Sequence, residues 1–239
     1  TALRVLGEGF VESNDLDIDP GDEEALAELK EQSLVLLYRL MFVSYAESRD
    51  LIHPEGEERA EYEENFSFGH LRETVKETVD SGETFASGFS TYSDSMWSRL
   101  SRLFDLVDSG EDALGIPAYN GGLFDPMKHA FLDEHSVYDR WLAEVVYLIS
   151  TTDSETSDEV VFADYADLDT RHLGSIYEGL LEHEFRIAGE PLAAVADDGG
   201  QTWKPADEVT VADAVETVEP GELYVVNDDG ERKATGAYY

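Results

Sequence analysis

The 239 residues carry 54 Asp and Glu against 16 Lys and Arg, a formal net charge of −38, with 42% hydrophobic residues and no cysteine. That apolar content suffices for a packed core and excludes a disordered chain, and without cysteine there is neither a disulfide framework nor a thiolate zinc site. Acid spread along the whole chain reads as a halophilic surface that holds hydrated cations and repels itself in dilute buffer, and it argues against gripping DNA with a clustered basic patch.

Taken in order, "TALRVLGEGF" is a short apolar opening, and "NDLDIDPGDEE" supplies turn residues and helix-start acids. A helical pattern runs from Glu23 to Asp50, and its second half is apolar on most faces, as in the centre of a bundle. Arg39 and Arg49 within it are expected to pair with Glu31, Glu47 or another helix. "HPEGEERAEYEEN" reads as a polar loop, followed by a helix from Phe68 to Asp80. After a Gly/Ser/Thr linker, Asp94 or Ser95 is the expected cap of a helix with Trp97, Leu100, Leu103, Phe104 and Val107 on one face and Gly110 as its stop.

"GIPAYNGGLFDP" reads as a loop with an Asn120-Gly121 turn, anchored in the core by Leu123 and Phe124. A helix is expected from about Ser136 to Ser150, and another from Thr170 to Ile187, where Leu173, Ile176, Tyr177, Leu180, Leu181 and Phe185 form one stripe. Beyond Gly189, "LAAVADDGGQTWKP" and "ELYVVNDDGERKATG" each read as a hairpin. The fold class that follows is mainly α, a multi-helix bundle with a small C-terminal β-hairpin appendage. The expected domains are a helical body over 1–189 and a β-containing segment over 190–239.

Few residues suggest chemistry. Asp22 with Glu28 and Lys30 superficially matches the acid and Glu-x-Lys set of metal-dependent nucleases, but that chemistry draws its ligands from adjacent strands, and the pattern here is helical. His172, Glu178, Glu182 and His183 lie close in sequence, yet not in His-Glu-x-x-His spacing, and read as surface residues. No nucleophile elbow, P-loop or dinucleotide fingerprint is present, so neither catalytic nor metal-binding residues are expected. No signal peptide is visible and no apolar run nears the roughly 20 residues of a membrane span, so the expectation is a soluble, cytoplasmic protein without a membrane partner.

Four segments in order, "LLYRLMFVSYAESRDLI", "LFDLVDSGEDALGIPAYNGGLFD", "YADLDTRHLGSIYEGLLEHEF" and "RKATGAYY", together resemble one family. It is the helical region ahead of the methyltransferase domain in type IIG restriction–modification proteins and in similar methylases of the BREX and DISARM phage-defence systems. The resemblance implies a fragment whose parent transfers a methyl group from S-adenosylmethionine to adenine N6 of duplex DNA, with the base extruded.

By that resemblance Thr235, Gly236, Tyr238 and Tyr239 form the edge of the S-adenosylmethionine motif, and the chain stops short of the catalytic motif. The fragment itself would then hold no cofactor. The parent would use S-adenosylmethionine, and Mg2+ where a nuclease domain is fused. Its partners would be its own methyltransferase domain and, through the parent, duplex DNA, with Arg99, Arg102, Arg140 and Arg171 as open candidates for contact. The alternative expectation is a stand-alone acidic protein-interaction module of a phage-defence system.

Overall fold

The computed structural model describes residues 1–54, 56–119, 121–154, 159–166, 170–197 and 200–227. Among them the fold is mainly helical, with small antiparallel strand pairings toward the C-terminus. The chain divides into two compact units, one of Thr1–Leu16 with Gln32–Leu173, the other of Asp17–Glu31 with Gly174–Tyr239. This division differs from the boundary at residue 189 drawn from composition. The long helix α2 (Glu23–Ser48) gives its first nine residues to the second unit and the rest to the first.

The first unit opens with α1 (Ala2–Ser13), whose Leu3, Val5, Leu6 and Phe10 are buried. It packs against α8 (Asp139–Ser150) so closely that a Cβ on Gly9 would sit 2.9 Å from Trp141 Cβ. Phe10 meets the edges or faces of Trp97 and Phe131 at 5.7 and 5.3 Å. Asn14 closes the joint by donating to Ser136 O and accepting from Ser136 N. The expected apolar opening is thus a full helix with its partner far along the chain.

Helix α2 ends where Asp50 takes a left-handed φ of 56° and Leu51 N reaches back to Ala46 O. The segment expected as a polar loop contains α3 (Glu58–Asn65), held by the fully buried Tyr62. Next come α4 (Phe68–Asp80), the single turn α5 (Phe85–Gly88) and α6 (Ser95–Ser109).

Two of these helices are capped from a distance. Glu47, on α2, accepts from Phe68 N and Gly69 N at 2.7 Å each and from Tyr62 OH at 2.9 Å, so a carboxylate sits on the positive end of α4. Burial, then the Glu47 charge, raises the Tyr62 phenol and keeps it a donor. For α6, Asp94 stands at the cap position without a side-chain bond. The capping carboxylate is instead Asp139, 6% exposed, which accepts from Met96 N at 2.8 Å and Ser95 Oγ at 2.7 Å.

After α6, Gly110 (φ +72°) turns the chain so sharply that a Cβ there would lie 2.5 Å from Ala118 N, which only glycine permits. The loop returns along α6, with Tyr119 N on Val107 O, and leads to α7 (Ala130–Glu134) and α8. Strands β1 (Thr151–Asp153) and β2 (Val160–Phe162) then pair antiparallel. Arg72 of α4 ties this pair down, donating to Ser150 O and Ala163 O with its guanidinium over the Phe162 and Tyr165 rings.

Helix α9 (Thr170–Leu181) is shorter than expected. Residues His183–Ile187 form strand β3, not its last turn, because they pair antiparallel with β7 (Leu223–Asn227). Strand β4 (Leu192–Asp197) pairs with β5 (Gly200–Pro205) as the expected first hairpin, and with β6 (Ala214–Val218) on its other side. The second hairpin is not local: "LYVVN" pairs with β3, and its expected return arm lies outside the described residues. Within the second unit Trp203 Nε1 donates to Val225 O at 2.8 Å, and its ring meets Tyr224 at 5.1 Å. Among the described residues no helix is long and apolar enough to cross a membrane.

Candidate functional site

The most elaborately built feature of the first unit is the loop between α6 and α7, which carries the "NGGLFD" motif. It is fastened from beneath by Arg39 of α2. Arg39 is 6% exposed, its Nε donates to Leu123 O at 2.8 Å, and its guanidinium lies 5.3 Å from the Phe104 ring centre and 5.7 Å from that of Phe124. Phe124 in turn packs against Phe42 and Phe104 at 5.4 and 5.6 Å. The sequence suggested a carboxylate partner on Glu31, Glu47 or another helix; the actual partner is a loop carbonyl between two aromatic rings.

Burial lowers the Arg39 guanidinium to about 10, a fall moderated by Asp108 and then Asp105. It therefore stays charged at neutral pH. Asp105 is shifted the other way: partial burial, then Asp133 and Asp108, raise its carboxyl, and Arg39 offsets part of that rise. Arg39, Asp105, His129 and Asp133 share a notch of about 40 Å3 with Phe104 and Phe124. The space suits a solvent molecule, not a substrate.

The rest of the loop braces itself. His129 Nε2 lies 3.1 Å from Gly122 O, and Lys128 folds across Gly122 so that its Nζ is 2.9 Å from where a Cβ would sit. Asp125 Oδ1 accepts from Met127 N at 2.9 Å, an Asx-type turn, and Asp125 O accepts from Lys128 N at 3.2 Å. At the loop's other end Tyr119 OH donates to Leu51 O. The anchoring of Phe124 in the core was readable from sequence, whereas Leu123 is only half-buried and is held by its carbonyl. Asp105, His129 and Asp133 were not, since nothing in their spacing marks them as neighbours.

The residues singled out for chemistry fall apart in space or outside view. Thr235, Gly236, Tyr238 and Tyr239 lie outside the described residues. Asp22, Glu28 and Lys30 lie at the start of one continuous helix, with Asp22 Oδ1 accepting from Ala25 N at 3.1 Å. No strand pair brings them together, so the nuclease arrangement is not formed there. Glu178 and Glu182 are exposed, and His183 lies on β3; among the described residues no group of three or more His, Asp or Glu is placed to hold a metal ion.

Of the four arginine candidates for DNA contact, Arg140 stacks on Trp141 at 3.6 Å and Arg99 donates to Glu63 O and Ser67 O. Arg102 is exposed and bonds its own helix at Ser98 O, and Arg171 is exposed on α9.

No family model, no curated protein and no solved structure matches this chain.

Proposed function

We propose that this chain is a non-catalytic helical connector from an S-adenosylmethionine-dependent adenine-N6 DNA methyltransferase or restriction–modification enzyme of a halophile. It positions the methylase relative to an upstream domain in the cytoplasm. The observation that carries this reading is the joint at Arg39. It lies in the first motif segment of the resemblance and holds Leu123 and Phe124 of the second. Glu47, also of the first segment, caps α4. Residues that look like family markers are therefore spent on bracing helices and a loop against each other, as a spacer requires. The methyl-transfer chemistry, with Thr235, Gly236, Tyr238 and Tyr239 at the edge of the cofactor site, belongs to the parent enzyme.

The test is methyl transfer to duplex DNA from labelled S-adenosylmethionine in high salt, comparing this chain with one extended C-terminally by about 350 residues, two or three typical domains. Transfer by the extended chain alone is expected. Transfer by neither would favour the stand-alone acidic interaction module, and transfer by this chain itself would sink the connector reading.

A further inference from the structure

Strand β3 has β7 on one edge and no strand on the other. Two sets of bonds fix which way its backbone faces. Ala188 N donates to Glu222 O, and Ala188 O accepts from Gly221 N, so Ala188 turns toward the β7 side. By the two-residue alternation of an antiparallel ladder, Arg186 and Glu184 do the same, and Phe185 and Ile187 turn their N–H and C=O away from β7. Val225, the ladder partner of Phe185, agrees: its carbonyl points off the other edge and accepts from Trp203 Nε1. The outward groups of Phe185 and Ile187 have no hydrogen-bond partner among the described residues. The start of α2 does not seal this edge, because a cleft of about 500 Å3 lies there, lined by Leu26, Ala27 and Lys30 and by residues 184–187.

We infer that β3 docks antiparallel on β3 of a second copy of this chain, joining two β3–β7 pairs into one continuous sheet. The side chains supply the register. In "HEFRI" the opposite charges Glu184 and Arg186 flank Phe185 and share one face of the strand. They are 45% and 58% exposed, and the 3.4 Å bridge between them is a weak surface pair, so both are free to pair again. Antiparallel pairing centred on Phe185 sets Glu184 opposite Arg186 of the second copy and Arg186 opposite its Glu184. Four charges then alternate in sign, His183 faces Ile187, and the two Phe185 residues exchange both backbone hydrogen bonds. A strand with charges of one sign meets repulsion at one of these positions, whereas β3 is its own complement. β6, an edge of the other sheet, carries Glu216 as its one charged residue and has no such match. Repulsion between two copies of charge −38 reaches about 10 Å in 0.1 M salt but only about 3 Å at 1 M, which leaves the contact pairs to decide.

Sedimentation equilibrium in about 1 M salt tests this, with a melting curve of each protein to establish that it is folded. The mass should rise with concentration from 26.6 kDa toward twice that value. A mass that stays at 26.6 kDa up to about 1 mM protein would overturn the pairing. Glu184→Arg and Arg186→Glu each set like charges opposite one another in the self-pair, and each should weaken it at least about tenfold. Mixed in equal amounts, the two single variants match charge for charge, so the mixture should dimerise about as tightly as the original chain. The double variant carrying both exchanges is again its own complement and should do the same. Single variants that dimerise as tightly as the original chain, or a mixture no tighter than its components, would put the contact elsewhere on the chain and overturn the inference.

Discussion

The helical unit and the strand-rich unit satisfy their backbone polar groups in different ways. In the helical unit the N-terminal ends of α4 and α6 receive carboxylates from elsewhere, Glu47 beside the local Ser67 cap and Asp139, and loop carbonyls are taken by Arg39 and Arg72. In the strand-rich unit the ladders β3–β7 and β5–β4–β6 pair backbone with backbone, and Trp203 adds one side-chain bond to Val225 O. The first arrangement makes single side chains the acceptors or donors for several backbone groups at once. The second spreads the pairing along strands, where each side chain matters less.

Substitutions can break that contrast. The largest effect is expected from Phe10→Ala, which removes a fully buried ring touching Trp97 and Phe131; a loss of about 3–5 kcal/mol in denaturant melts follows for a core aromatic. Asp139→Ala leaves Met96 N and Ser95 Oγ without their buried acceptor, and a cost of about 2–3 kcal/mol is expected. A cost below about 0.5 kcal/mol would show that α6 does not depend on its distant cap.

In the other unit, Trp203→Phe should cost only about 1 kcal/mol, the worth of one hydrogen bond. If it matches Asp139→Ala in the same melts, the contrast between the units fails. Smallest is Asp105→Asn. The native fold holds the Asp105 carboxyl above its ordinary value of 3.8, so ionisation costs stability progressively as the pH rises from 3.8 to the raised value and in full above it. The variant should melt slightly higher at pH 7, by no more than about 0.5 kcal/mol for so exposed a group, and the gain should vanish below pH 3.8, where the acid is protonated in both states.

Periodicity made α4, α6 and α8 readable, because each buries a stripe of apolar residues, and α2 was readable from a long apolar run buried on most faces. It could not reveal α3, whose eight residues offer Tyr62 as the one buried side chain and so leave no stripe to read. It extended α9 too far because Leu181 and Phe185 keep helical spacing, while β3 is decided by pairing with β7, some 40 residues on. The anchor residues of the loop were legible as apolar letters in a polar stretch. Their clamp was not, because an arginine inside a greasy helix gives no sign of whether a carboxylate, a carbonyl or a ring will receive it. The caps show the same limit: Asp94 satisfies the local rule, but Asp139 holds the position because α8 brings it there.

The pairing of α1 with α8 has a consequence for how the protein is made. Asn14 waits for Ser136, which is 122 residues later in the chain. At ribosomal rates of about 5–20 residues per second, that interval is roughly 6–25 s. Throughout it, Leu3, Val5, Leu6 and Phe10 have emerged before α8, the helix that α1 packs against.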